Sequence, residues 1–230
     1  LDKLDELGIA EDTIVMYSTD NGVHYNTWPD AGITPFRSEK NTNWEGGWRV
    51  PAFVRWPGQF KAGTVINGIV AMQEWMPTFL AAAGVPDVKE RLLEGHQAGD
   101  KHFKVHLGGY NILPYLVGEV DESPRKNFFY ISDDGDILAI RMEDWKVVLM
   151  EQRAKQLACW FEPFVALRAP KMFNLRRDPF ERADENSNSY WDWVINHTYI
   201  VYLMQAVVAD QIQAFVAYPP RQKPASFNLD

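Results

Sequence analysis

The sequence predicts an α/β fold followed by a smaller antiparallel-sheet subdomain under a C-terminal helix. Three observations carry the prediction. Strand-like and helix-like runs alternate through the first part of the chain, which indicates an α/β sheet. After Pro124 three strand-like runs, NFFYIS, DILAIRME and WKVVLMEQ, follow one another with turn residues between them. The chain then carries a long apolar segment, 199–218, with helical spacing.

Residues 13–19, TIVMYST, form a β-branched apolar run ending at Asp20-Asn21-Gly22, the pattern of a buried strand that stops in a tight turn. Residues 23–48 have no period and are rich in Asn, Thr, Gly, Pro and Trp; a structureless loop of that length is usually functional or mobile. Residues 49–56 read as a second strand starting after Pro51, and residues 66–71 as a third. Residues 74–83 read as a helix stopped by Gly84 and Pro86, and residues 111–117 as a short helix ended by Gly118, with 87–110 polar and aperiodic between them. Asp133-Asp134-Gly135-Asp136 and Glu143-Asp144 are turns between the later strands, and a further strand near residues 171–175 completes an antiparallel sheet. The helix that covers it is expected at about 190–217, with Ile200, Met204, Val207, Val208, Ile212 and Phe215 on one face. The subdomain boundary is expected near residue 124, giving 1–124 and 125–230.

Composition narrows the function. The chain has 230 residues, 46% of them hydrophobic and 23% charged, enough for a sizeable core. Its net charge is −8 with no long basic run, which argues against a nucleic-acid partner, whose phosphates call for clustered Lys and Arg. Gln205, Asp210, Gln211 and Gln213 interrupt the apolar 199–218 segment, so it is read as a packed amphipathic helix and no membrane span is expected. A single cysteine, Cys159, excludes an internal disulfide and leaves the compartment, periplasmic or cytoplasmic, open. The chain opens at Leu1 within a helical pattern, Leu1, Leu4 and Leu7, and further residues are expected upstream.

Two short elements bear on chemistry. Asp20 and Asn21 follow a predicted strand, at the sheet edge where α/β folds bind ligands, and both offer oxygen donors suited to a hard divalent cation. The tripeptide is equally an ordinary turn. Lys40 presents an ammonium able to hold an oxyanion, or to sit in solvent beside Glu39. His24 lies on the same loop as Asp20.

Asp-Asn-Gly followed by Lys40-Asn41-Thr42-Asn43-Trp44-Glu45-Gly46-Gly47-Trp48-Arg49-Val50-Pro51 resembles the second half of the sulfatase signature. The likeness is strongest over 14–58 and is closest to bacterial arylsulfatases. Glu74-Trp75-Met76-Pro77-Thr78, the 109–116 segment with Leu113-Pro114, and Phe173-Asn174-Leu175 through Asp178-Pro179-Phe180-Glu181 are similar to later family segments in family order. The resemblance implies the C-terminal portion of an alkaline-phosphatase-like fold and hydrolysis of a small-molecule sulfate ester. It implies that Asp20 and Asn21 help hold the cation, Ca²⁺ before Mg²⁺, and that Lys40 binds the sulfate. His24 is a candidate to reach the leaving group, and Arg49 is expected to brace the loop.

The family nucleophile, a formylglycine made within Cys-x-Pro-x-Arg, has no counterpart here; Cys159 is followed by Trp160-Phe161-Glu162-Pro163. The formylglycine is expected in a missing N-terminal part of the same protein, which is thus an expected partner, and the 230 residues alone are expected to be inactive. Two readings stand beside this one: a phosphoryl or phosphonate ester hydrolase of the same superfamily, and a non-catalytic anion-binding or scaffold module.

Overall fold

The computed structural model describes residues 1–25, 27–219 and 221–227. The chain forms two compact units: Leu1–Asp20 with Val50–Lys126, and Asn21–Arg49 with Asn127–Asp230. The expected 1–124 unit is therefore interrupted. The 21–49 segment groups with the later part of the chain, because its hydrogen bonds and ring contacts go to the later strands.

In chain order the elements are α1 (Asp2–Glu6), β1 (Val15–Ser18), α2 (Glu45–Trp48), β2 (Ala52–Arg55), α3 (Trp75–Ala82), α4 (Val88–Glu94), β3 (His96–Ala98), β4 (Lys101–Phe103) and α5 (Leu113–Val117). They continue with β5 (Asn127–Ile131), β6 (Ile137–Met142), β7 (Trp145–Glu151), β8 (Val165–Asn174), α6 (Ala183–Asn186), α7 (Tyr190–Asn196) and α8 (Tyr199–Ala217).

In the first unit β1 pairs antiparallel with β2, Val15 opposite Arg55 and Ser18 opposite Ala52. The strand at 13–19 was expected to be buried in an α/β sheet. Instead Tyr17 is 60% and Phe53 67% exposed. A parallel pair needs a crossover, usually a helix. The segment joining β1 to β2 carries only the single turn α2, so the chain returns antiparallel.

The strand expected at 66–71 does not form. Its polar backbone groups go to side chains: the Gly68 N–H donates to the Tyr115 hydroxyl at 3.0 Å, and the Ile69 carbonyl accepts from Ser123 at 2.6 Å. The polar 87–110 stretch, expected to be aperiodic, holds α4 and the β3–β4 hairpin. Glu74 is fully buried and takes Arg125 Nε at 2.9 Å, while its backbone carbonyl accepts from Thr78, whose hydroxyl in turn receives the Ile112 N–H at 3.0 Å. This places the Glu-Trp-Met-Pro-Thr segment in the scaffold: it fastens α3 to the start of α5.

The second unit is built on an antiparallel sheet of order β5-β6-β7-β8. Leu138, Ala139 and Ile140 are buried in succession, as are Lys146, Val147 and Val148. Strands covered on both faces read as continuous apolar runs, as these do. Tyr130, Ala139 and Val148 lie opposite one another and so share a face, with Lys146 one pleat along. That face is covered by the 36–49 segment: Trp48 packs edge-on against Tyr130 and Phe128, and Trp44 against Phe173. On the other face Trp145 stacks on Trp193 of α7 at 5.7 Å, and Tyr190 bridges the Met172 backbone through its hydroxyl.

The helix expected at 190–217 breaks at His197-Thr198 into α7 and α8. The first half of α8 joins the core: Ile200 and Met204 are buried in it, and Val201, Val207 and Val208, the last two expected on the packed face, pack partly buried against it. Ile212, expected on the packed face, is 49% exposed, as are Tyr202 (69%) and Leu203 (58%). By length and composition α8 is apolar enough to cross a membrane, although its first turns are core.

A buried ionic cluster joins the sheet to the 36–49 segment. Lys146, wholly buried, places its ammonium 2.8 Å from Glu181, 3.1 Å from Glu45 and 2.8 Å from the Asn43 carbonyl. The Glu45 N–H donates to Glu181 at 2.7 Å, and Glu45 also accepts from the Tyr130 hydroxyl and from Arg49 Nε. Burial alone would push the Glu45 carboxyl up. The Lys146 ammonium, the Tyr130 hydroxyl and Arg49 outweigh it and hold that carboxyl at about 2, against an ordinary 4.5. A carboxyl depressed on folding contributes stability that is present above its unfolded value and lost as pH falls through the folded value. Glu45 is therefore expected to weaken this unit between pH 4.5 and about 2. Burial raises the Glu181 carboxyl against the pull of Lys146, and Glu45 adds to the rise, so Glu181 works in the opposite sense. Denaturation midpoints of wild type and Glu45→Gln should converge as pH drops through that window; parallel curves would remove Glu45 as the cause.

Candidate functional site

The site is built where the backbone after β1 meets the 37–47 segment. The Gly22 N–H donates to the Gly47 carbonyl at 2.9 Å, the Lys40 N–H to the Val23 carbonyl at 2.7 Å, and the Tyr25 N–H to the Glu39 carboxylate at 3.3 Å. This lacing puts His24 and Lys40 on adjacent stretches of backbone. It needs glycines. A Cβ on Gly22 would stand 1.9 Å from the Gly46 carbonyl oxygen, and one on Gly46 would stand 2.2 and 2.4 Å from the Ser38 and Arg37 oxygens.

Lys40 is flanked by Ser38 (φ 62°) and Asn41 (φ 66°), both in the left-handed region that non-glycine residues adopt rarely. Such backbone persists only where the surroundings fix it, and it gathers at functional sites. Here the fixing contacts are visible. Glu39, 1% exposed, also accepts the Gln156 N–H at 3.0 Å, and Asn41 Nδ2 donates to the Cys159 carbonyl at 2.6 Å. Thr42 hydroxyl caps the Glu39 carbonyl at 2.6 Å. Arg49 holds Glu45 at 2.7 Å and lies 4.6 Å over the Phe36 ring. It braces the loop, as the sequence led us to expect. Glu39, by contrast, spends its carboxylate on backbone N–H groups.

Asp20 is exposed at the end of β1 and Asn21, its neighbour, is half-buried. As oxygen donors they suit a hard cation in kind, but they supply only part of a shell that takes about six to eight oxygens for calcium. Among the described residues no three His, Cys, Asp or Glu side chains come together as a metal site. Lys40 directs its ammonium to 5.8 Å from the centre of the Trp160 ring, and the His24 ring meets the same indole edge-on, also at 5.8 Å. His24 Nε2 is buried without a hydrogen-bond partner among the described residues. Cys159 is 1% exposed, donates to the Ala154 carbonyl at 3.2 Å, and has its thiol pushed up by burial and by Glu39. It is packing, not a nucleophile. Trp44 and Trp48 are packing residues too, while Trp28 is 63% exposed.

Sequence reading missed Trp160, Lys146 and Glu181. Lys146 left one signal, a charge inside an otherwise apolar strand run.

The chain has the fold of the C-terminal portion of the sulfatases, an alkaline-phosphatase-like class. It superposes on the PsFucS1 sulfatase from Pseudoalteromonas sp. with a TM-score of 0.72 and 27% identity, over 95% of this chain and 40% of that one. Residues 1–85 match the family model described as Sulfatase. The likeness to family members runs well beyond them. Steryl-sulfatase of Mus musculus is 29% identical over 202 residues, 78% of this chain and 30% of that protein. Arylsulfatase A of Homo sapiens is 27% identical over 188 residues, 76% of this chain and 34% of that protein. The chain thus spans about a third of the length of these curated relatives.

Proposed function

We propose that the protein carrying this chain hydrolyses a small-molecule sulfate ester, releasing sulfate and an alcohol or phenol, as an arylsulfatase does. The observation that supports this best is the lacing of Gly22–Tyr25 to Glu39–Gly47, which brings together Lys40 and His24, whose Nε2 has no hydrogen-bond partner among the described residues.

In this reading Lys40 pairs with the sulfate oxygens and neutralises the charge that collects there as the S–O bond breaks. A fixed cation acts most strongly where the chain holds it rigidly beforehand. His24 hydrogen-bonds the leaving-group oxygen through Nε2. Asp20 and Asn21 contribute ligands to a divalent cation, calcium before magnesium, which when bound would draw charge from the sulfate oxygens. Remaining ligands and the nucleophile come from elsewhere in the protein, and the exposed Tyr17–Phe53 face is a place for that part to pack. Residues 1–230 alone are accordingly inert.

The complete protein is expected to release 4-nitrophenol from 4-nitrophenyl sulfate, and Lys40→Ala to lower kcat/KM by about 10²-fold. No turnover by the complete protein would sink the reading. Turnover by residues 1–230 alone would sink only the claim that they are inert. Preference for the phosphate monoester would favour a phosphoryl hydrolase of the same fold.

A further inference from the structure

We infer that Trp160 is a specificity-determining residue, its indole forming a stacking platform for a ring in the alcohol part of the sulfate ester. This deepens the reading above and rests on it.

The indole is the feature that both candidate side chains approach: the Lys40 ammonium at 5.8 Å and the His24 ring at 5.8 Å. It is nevertheless 44% exposed, next to Phe161 at 79% and Leu157 at 59%. A tryptophan placed only for packing would bury its ring, as Trp44 does at 3%.

The segment that carries it is not a loose loop. Trp160 ends a 3₁₀ turn, Gln156–Trp160, in the connection from β7 to β8. The base of this connection is tied to the residues on both sides of Lys40. Gln156 N–H donates to Glu39 at 3.0 Å and Asn41 donates to the Cys159 carbonyl at 2.6 Å. Gln152 N–H donates to Asn43 Oδ1 at 2.9 Å. Buried Cys159 anchors the turn from beneath. Rigid backbone below and exposed apolar side chains above make a preformed surface beside a cation.

Aromatic rings at ligand sites bind by offset or edge-to-face contact with other rings. With the sulfate on Lys40, the ester oxygen lies within a few bonds of any ring the alcohol carries. The indole beside Lys40 is then the surface that ring meets. A sulfate ester of a phenol or other cyclic alcohol is therefore favoured over an open-chain one.

In the complete protein, Trp160→Ala is expected to raise KM for 4-nitrophenyl sulfate about ten-fold with little change in kcat. The inhibition constant of inorganic sulfate, which has no ring, should stay at the wild-type value, and Trp160→Phe should recover most of the lost KM. An unchanged KM in Trp160→Ala overturns the inference. So does a sulfate inhibition constant that weakens in step with KM, because Trp160 would then be bracing the Lys40 segment. If the wild-type protein hydrolyses no sulfate ester, the underlying reading fails instead, so the two failures are told apart.

Discussion

Replacing Lys146 with methionine is expected to cost about 3–5 kcal/mol, because it leaves buried carboxylates without their cation. Glu45 and Glu181 are each 1% exposed or less, and their oxygens lie 3.1 and 2.8 Å from the Lys146 ammonium. Arg49 still reaches Glu45, but it approaches from a partly exposed position on the other oxygen. The cost should appear as a fall in the thermal midpoint of about 10 °C. A second signature separates this cause from lost packing. With the cation gone, the burial that already raises the Glu181 carboxyl loses its main opposition, and a raised carboxyl contributes stability below its unfolded value that is lost as pH rises. Lys146→Met should therefore regain ground on the wild type as pH falls from 7 toward 5. Neutralising the acids in the same background, with Glu45→Gln and Glu181→Gln, should recover part of the loss. A single variant within about 2 °C of wild type would show that the cluster is not holding the 36–49 segment on the sheet.

That cluster marks the boundary of what the sequence discloses. The runs that became β5, β6 and β7 were legible because local rules agree: apolar β-branched residues between Asp133-Asp134-Gly135-Asp136 and Glu143-Asp144 admit little else. Lys146 was visible as an oddity in its run, but its partner Glu45 is 101 positions away. No local pattern signals a bond of that range. The 23–48 segment has no period for the same reason. Its conformation is set by backbone bonds such as Gly22 to Gly47 and by contacts with distant strands, not by neighbours. Where local signals misled, the missing element was a partner. Among the described residues the apolar 66–71 run pairs with no strand, and Val65 beside it is 80% exposed. The β3–β4 hairpin carried its turn in the open, at Gly99-Asp100, but its polar strands concealed it. At the candidate site, Asp20, Asn21 and Lys40 were legible as a motif, and His24 by its place on the same loop. Trp160, which approaches His24 and Lys40, was legible only as one more aromatic, since the fold alone brings it there.

The motif glycines carry the second large effect. Gly46→Ala is expected to destabilise the protein by about 3 kcal/mol, at the upper end for an inserted methyl group, and to disable the site as well. The reason is what the new Cβ meets: backbone oxygens of Ser38 and Arg37 at 2.2 and 2.4 Å, not the flexible end of a side chain. The Arg37 carbonyl cannot swing away cheaply, because it accepts the Gly46 N–H at 2.8 Å. The Arg37 guanidinium is in turn fixed by Asp184, by the Glu181 carbonyl and by the Trp44 ring at 3.5 Å. Relief must therefore move the 37–41 backbone, and Lys40 rides on it. Gly22→Ala should act the same way from the other side of the lacing, with its Cβ 1.9 Å from the Gly46 oxygen. Gly58 is the control. It also has a positive φ, of 77°, but no atom lies within 4 Å of its added Cβ, so Gly58→Ala carries backbone strain without collision. Urea denaturation of the three variants should rank Gly22→Ala and Gly46→Ala well below Gly58→Ala. Sulfate-ester turnover in the complete protein should survive Gly58→Ala and be lost in the other two. If Gly46→Ala kept both stability and turnover, the 37–47 backbone would have room that the close approach of Ser38, Arg37 and Gly46 denies it, and the placement of Lys40 would need another explanation.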